Sequence, residues 1–126
     1  MASATILVVD DDPDFVEIMR TILTSRGYRV ITAANGAQAL QQVAEAQPDL
    51  MILDIMMSTA LDGYNVSETL AADPQSRFLP IIMVSSIAET PHAGLFSLED
   101  RLHMDAWLSK PVNPSELLHK VEELLT

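Results

Sequence analysis

The sequence predicts an α/β fold in which a five-stranded parallel sheet carries helices on both faces. Five short apolar runs alternate along the chain with longer amphipathic stretches. Such alternation is typical of parallel strands joined by right-handed crossovers. The run LMILD at 50–54 is apolar up to its last residue, which indicates a strand covered on both faces. A length of 126 residues suits one core, so residues 1–126 are predicted to form a single domain.

The five predicted strands are short apolar runs bounded by proline, glycine or polar residues. They are TILVV (5–9), YRVITA (28–33), LMILD (50–54), IIMVS (81–85) and DAWLS (105–109). In a doubly wound parallel sheet, the functional crevice lies beyond the carboxyl ends of the strands. The residues that follow each strand are therefore the first place to look for chemistry.

The first predicted helix has clear boundary signals. Asp12 and Pro13 are typical of an N-cap and a first helical residue. Gly27 is predicted to cap the carboxyl end. The apolar residues between these signals recur at helical spacing: Phe15, Val16, Met19, Ile22 and Leu23.

The other predicted helices vary in clarity. One follows Asn35-Gly36 and ends before Pro48. A short helix is predicted over 64–73, and a last helix begins at Pro114. Residues 86–103 give no clear element.

Composition and charge exclude several classes of partner. Eighteen acidic residues against seven basic ones give a net charge of -11, which argues against direct binding of nucleic acid or of an anionic membrane. The absence of cysteine excludes disulfides and a cysteine-based zinc site. No apolar run approaches the length of a membrane span, and the N-terminus lacks signal-peptide features. A cytoplasmic location is expected.

Polar residues stand at the carboxyl ends of four of the five predicted strands. Asp10 and Asp11 end the first strand, Asp54 ends the third, Ser85 ends the fourth, and Lys110 follows the fifth. Because parallel strands end at the same edge of a sheet, we expect all five side chains to converge there.

Three carboxylates at one edge make a hard, oxygen-rich site of the kind that Mg²⁺ prefers. Without a cation these carboxylates repel one another, which makes Mg²⁺ the predicted cofactor. Lys110 and the metal together suit neutralisation of a phosphoryl group, and Ser85 suits a hydrogen bond to one of its oxygens. Asp54, in the middle, is placed to attack phosphorus as a nucleophile.

At this point four motifs, in order along nearly the whole chain, resemble the response-regulator receiver domains (CheY-like) of two-component phosphorelay systems. The resemblance implies a flavodoxin-like strand order of 2-1-3-4-5. It also implies a signalling switch, which catalyses only its own phosphorylation and dephosphorylation and is not otherwise an enzyme. The motifs are VVDDDP (8–13), LMILDIMM (50–57), PIIMVSS (80–86) and WLSKP (107–111).

The resemblance assigns roles around the predicted metal site. Asp54 resembles the phosphoacceptor, which takes its phosphoryl group from a phosphohistidine on a sensor histidine kinase or a histidine phosphotransfer protein. Asp10 and Asp11 resemble the acidic pair, with Asp11 the more direct ligand. The backbone carbonyl of Met56 would be another metal ligand.

The remaining implied roles concern switching. Lys110 resembles the catalytic lysine of the family, and its bond to Pro111 is often cis there. Ser85 matches the switch hydroxyl, and Trp107 occupies the position of the switch aromatic. A downstream effector would dock on the face formed by the fourth helix, the fifth strand and the fifth helix.

Two other functions remain open from the sequence. A receiver-like scaffold would bind a partner without being phosphorylated, although the intact acids, hydroxyl and lysine argue against it. A metal-dependent phosphatase with an aspartyl nucleophile is the second alternative. Such enzymes place another Asp two residues after the nucleophile, where this chain has Met56, and they carry a large cap insertion that this chain lacks.

Overall fold

The computed structural model describes residues 4–54, 69–70, 72–74, 78–86 and 106–125, with the backbone alone at 85 and 86. Its strands are β1 (Thr5–Val9), β2 (Arg29–Ala33), β3 (Leu50–Asp54), β4 (Ile81–Ser86) and β5 (Ala106–Lys110). All four pairings between them are parallel, and the strand order is β2-β1-β3-β4-β5. The predicted class and the 2-1-3-4-5 order are confirmed.

Helices pack on both faces of this sheet, as predicted. The described helices are α1 (Pro13–Thr24), α2 (Gly36–Ala46) and α3 (Pro114–Leu125), the last helix of the sequence prediction. The core between the sheet and α1 and α3 includes Ile6, Val8, Phe15, Met19, Leu50, Ile52, Val84, Leu108, Leu117 and Val121. The core on the α2 side includes Leu7, Val9, Ala39, Met51, Leu53 and Met83. No helix in the described ranges combines the length and the apolar character needed to cross a membrane.

The N-terminus of α1 forms as the sequence predicts, but its carboxyl end does not. The Asp12 side chain accepts a hydrogen bond of 2.9 Å from the backbone N–H of Asp14, and Pro13 is the first helical residue. The C-cap is Ser25, whose N–H donates to the Thr21 carbonyl at 3.2 Å. Gly27 lies two residues later with φ 86°. The prediction of Gly27 as the cap was wrong because the left-handed glycine closes the turn that follows the helix.

Some strand boundaries also differ from the predictions by one residue. β2 begins at Arg29, not at Tyr28, and β4 extends to Ser86. Lys110 is the last residue of β5, not the residue after it, because the strand continues to pair with β4 up to Ser86. β1 ends at Val9, so Asp10 is the first residue beyond the strand.

Several sequence predictions fall outside the described residues. Of the predicted helix 64–73, residues 69–70, 72 and 73 are described; 69–70 and 72 are helical, and Asp73 lies just beyond the helix. Met56 and residues 87–103 lie outside the description.

Candidate functional site

Three carboxylates meet at the carboxyl edge of the sheet. One oxygen from each of Asp10, Asp11 and Asp54 lies within 4.8 Å of the other two. Asp10 and Asp54 are buried, with 2% and 5% of their surface exposed, whereas Asp11 is exposed. Buried carboxylates are costly unless positive charge or hydrogen bonds compensate them. The cluster therefore needs positive charge or hydrogen bonds to compensate its buried carboxylates.

Side chains of a strand point alternately to the two faces of the sheet, and this alternation places a lysine on the same face as the carboxylates. Ile6 and Val8 of β1 face the α1 side of the sheet, and Asp10 continues that alternation. Asp54 does the same after Ile52 in β3, and Lys110 after Leu108 in β5. Three non-adjacent parts of the chain thereby direct their polar groups to one side of one sheet edge.

Lys110 supplies a positive charge beside two of these carboxylates. Its Nζ donates a 2.9 Å hydrogen bond to Asp10 Oδ2 and lies 3.5 Å from Asp54 Oδ2. Asp54 of β3 pairs with Val84 of β4, which in turn pairs with Leu108 of β5. Lys110 therefore lies two residues beyond the level of Asp54, toward the carboxyl edge of the sheet. Its long stem can therefore cross the end of β4 and reach the carboxylates.

The balance of burial and charge raises the pKa of Lys110. Burial is the largest single influence and lowers this pKa, because it disfavours the charged ammonium. The hydrogen bond that Lys110 donates to Asp10 and the negative charges of Asp54 and Asp10 together outweigh burial, so the pKa lies above the ordinary value for lysine. Lys110 is therefore a stable cation at neutral pH.

Asp10 is fixed on both oxygens. Oδ1 accepts a 2.9 Å hydrogen bond from the backbone N–H of Asp12, and Oδ2 accepts the bond from Lys110. The backbone N–H of Asp10 donates to the Ala33 carbonyl at 3.1 Å. Asp10 therefore holds the lysine in place, while the exposed Asp11 is the carboxylate most open to a bound ion.

The site contains one feature that sequence reasoning missed. The Lys110 Nζ lies 4.3 Å from the centroid of the Phe15 ring. Helical spacing identified Phe15 as a core residue, which it is, with 9% of its surface exposed. Nothing in the spacing indicated that its ring would also face a cation from β5, since that contact depends on how α1 packs against the sheet.

The donor set fits a small divalent cation. Oxygens on opposite sides of an octahedral Mg²⁺ are about 4.2 Å apart, since each bond is about 2.1 Å long. Three carboxylate oxygens within 4.8 Å of one another therefore need little rearrangement to share an ion. Three carboxylates facing one ammonium also leave two negative charges unbalanced, which matches the charge of Mg²⁺.

Of the two predicted switch residues, the structure describes the side chain of Trp107 but only the backbone of Ser85. Ser85 pairs with Ser109 in the β4–β5 register, and its side chain lies outside the description. Trp107 packs, partly buried, against the core on the α2 side. Its Nε1 is buried and has no hydrogen-bond partner within the described part of the chain. The peptide bond between Lys110 and Pro111 is cis.

Comparison of the sequence with models of known protein families identifies the class of protein that has this fold and this site. The family described as response regulator receiver domain matches residues 6–122. The chain belongs to that family, which the motifs in the sequence had indicated. Its class is a signalling switch and not a classical enzyme.

The chain is similar to particular members of this class. It is 38% identical over 120 residues to the probable transcriptional regulator ycf27 of Pyropia yezoensis, an alignment that covers 95% of this chain and 46% of that protein. The chain spans about half the length of the curated relatives it matches.

Two solved structures show the same fold. The chemotaxis response regulator CheY4 of Vibrio cholerae matches with a TM-score of 0.85 and 29% identity, over 98% of this chain and 100% of that one. The receiver domain of sensor histidine kinase PA1611 from Pseudomonas aeruginosa matches with a TM-score of 0.86 and 28% identity, over 98% of each chain. That structure has a magnesium ion coordinated in its active site cleft.

Proposed function

We propose that this domain takes a phosphoryl group from a phosphohistidine onto Asp54 in a Mg²⁺-dependent reaction, and that phosphorylation changes its binding to a partner. The observation that carries the proposal is the Lys110 ammonium, which lies against Asp10 and Asp54 beside the three-carboxylate cluster. The proposed donors are a sensor histidine kinase or a histidine phosphotransfer protein.

In this proposal Asp10, Asp11 and Asp54 hold Mg²⁺, with the Met56 carbonyl and water as further ligands. Since both oxygens of Asp10 already accept hydrogen bonds, Asp11 is the more direct ligand. When bound, the ion supplies positive charge that offsets the charge of the phosphoryl oxygens.

The chain's own residues divide the transfer between them. A carboxylate oxygen of Asp54 forms the new bond to phosphorus while the bond from phosphorus to the donor imidazole nitrogen breaks, and the imidazole leaves with the bonding electrons. Lys110 then moves from Asp54 Oδ2 to a phosphoryl oxygen, and the Ser85 hydroxyl donates to another. The burial of Asp54 limits the approach of water to the acyl phosphate formed.

Trp107 provides a direct optical test, because the chain has a single tryptophan. Adding beryllofluoride with Mg²⁺, which mimics a phosphorylated aspartate, should change Trp107 fluorescence in the wild type. The expected reason is a rearrangement of the switch residues Ser85 and Trp107 on β4 and β5. Asp54→Asn is the matched control and should show no change, since it lacks the carboxylate that beryllofluoride requires.

A fluorescence response that persists in Asp54→Asn would contradict the assignment of Asp54. No response in either protein would favour the receiver-like scaffold, which binds without phosphorylation. In the proposal, a downstream effector docks on the face that includes β5 and α3, and the domain acts in the cytoplasm.

A second prediction concerns metal affinity. Asp11→Asn should weaken Mg²⁺ binding by about tenfold or more, because it removes a negatively charged ligand from a site that depends on few of them. The measurement is a calorimetric titration of Mg²⁺ into each protein. Asp14→Asn is the matched control: it removes the same charge from an exposed position in the first turn of α1. Equal affinities in the wild type and Asp11→Asn would refute the site.

A further inference from the structure

We propose that Phe15 is a positioning residue for Lys110, whose ring supports the ammonium group while the lysine exchanges one partner for another during phosphorylation. This inference rests on the proposed function, since it takes Asp54 as the phosphoacceptor. It adds a residue that belongs neither to the carboxylate cluster nor to the switch pair.

The local fold explains why the ring lies there. α1 begins at Pro13, directly after the acidic residues, and Phe15 is the third residue of the helix. Its side chain is in the core that α1 and α3 form with the sheet. Lys110 approaches the same region from the end of β5, and its Nζ comes to 4.3 Å from the ring centroid. That distance is well inside the range of about 6 Å over which a ring face attracts a cation.

The aromatic ring has an electrostatic property that aliphatic side chains lack. The Lys110 ammonium is partly withdrawn from water, since the lysine side chain is 25% exposed, so it needs attractive neighbours on several sides. Two sides face Asp10 and Asp54. The negative face of an aromatic ring attracts the cation without adding a formal charge to an already acidic cluster. A leucine would fill similar space but would give no such attraction.

The ring also suits a lysine that has to move. A carboxylate holds an ammonium partly through a directional hydrogen bond to one oxygen atom, and that part is lost when the ammonium moves away. A ring face has no single acceptor atom, so its attraction for the ammonium changes gradually as the ammonium moves. Lys110 can therefore leave Asp54 Oδ2 for a phosphoryl oxygen and remain over Phe15 throughout.

The kinetic test compares two substitutions at one position. Phe15→Leu should lower the rate of phosphorylation by acetyl phosphate by about 3- to 30-fold, because the ring contact contributes most in the transition state, where the ammonium has left Asp54 and is not yet fully bonded to the phosphoryl oxygen. Phe15→Tyr keeps a ring and should remain within about twofold of the wild type. Leu23→Val controls for loss of core packing: Leu23 is buried in the same core at the other end of α1, and its substitution should leave the rate unchanged.

A spectroscopic test reads the contact without any phosphoryl donor or metal. In the wild type, the ring current of Phe15 should shift the NMR signals of the Lys110 methylene protons next to Nζ upfield. The shift should persist in Phe15→Tyr and disappear in Phe15→Leu, and its absence from the wild type would remove the contact on which the inference rests.

The outcomes separate this inference from the proposed function. If the wild type is phosphorylated on Asp54 and Phe15→Leu reacts at the same rate, the positioning role is wrong and the proposed function stands. If Phe15→Tyr is as slow as Phe15→Leu, the shape of the side chain and not its ring face sets the rate, which also overturns the inference. If the wild type gains no phosphate on Asp54, the proposed function fails, and the role of Phe15 in it fails too.

Discussion

Replacing Asp54 with asparagine is expected to abolish phosphorylation of this domain by acetyl phosphate. An amide has nearly the shape of a carboxylate, but its oxygen carries no negative charge and is a far weaker nucleophile. The loss should therefore exceed about a thousandfold in rate, the scale on which removal of an essential catalytic group acts. Mass spectrometry of the intact protein, followed by mapping of the phosphorylated peptide, measures the result.

Loss of folding would not explain such a result. Asp54 belongs to a cluster with more negative than positive charge, so removing one charge relieves repulsion as well as removing the contact with Lys110. Asp54→Asn should accordingly remain folded, which urea unfolding can verify. Asp14→Asn is again a charge-matched control and should be phosphorylated as the wild type is. A single phosphate that persists in Asp54→Asn would place the nucleophile at another residue.

The fold was predictable from the sequence because its strands are covered on both faces. A strand such as β3 has to be apolar nearly throughout to be buried, and that pattern stands out from the amphipathic helices around it. Boundaries were less predictable because pairing between strands decides them. Lys110 is part of β5 because it is level with Ser86 of β4, a relation between distant parts of the chain that local composition does not contain.

The sequence pattern also predicted which side chains meet at the site, but it did not predict their burial or all of their contacts. Parallel strands end at one edge, so Asp10, Asp54 and Lys110 were expected to approach one another, and the structure brings them together. The sequence did not show that Asp10 would be buried while its neighbour Asp11 is exposed. That difference depends on the tertiary surroundings of each carboxylate, as the contact of Phe15 with the lysine does.

The prediction with the largest effect on stability concerns Lys110→Met in the absence of Mg²⁺. The substitution keeps an apolar stem but removes the cation that lies 2.9 Å from Asp10 and 3.5 Å from Asp54. Breaking a fully buried ion pair by removing one partner costs about 3–5 kcal/mol. Because water reaches part of this site, we expect the free energy of unfolding to fall by about 2–3 kcal/mol. Urea unfolding at neutral pH measures the change.

The matched control for this substitution is Lys120→Met on α3. Lys120 lies 3.5 Å from Glu123, and both side chains are exposed. An exposed pair of this kind contributes little, so the free energy of unfolding should change by less than about 0.5 kcal/mol. Adding Mg²⁺ should restore much of the stability lost in Lys110→Met, since the ion supplies charge to the same carboxylates. In Lys120→Met the carboxylate cluster keeps its lysine, so Mg²⁺ should change the free energy of unfolding only as much as it does in the wild type.

The pH dependence of the free energy of unfolding tests independently whether the charge of Lys110 is what stabilises the protein. The pKa of Lys110 in the folded protein is raised above the ordinary value of 10.5. A raised pKa means that the ammonium's stabilising contribution is complete below the unfolded value and is lost as the pH rises through the higher, folded value. The difference in the free energy of unfolding between the wild type and Lys110→Met should therefore be constant up to about pH 10 and shrink above it. The contrary result is a difference in the free energy of unfolding that stays the same at high pH and that Mg²⁺ does not reduce. It would mean that packing of the lysine stem, and not the ammonium charge, stabilises the site.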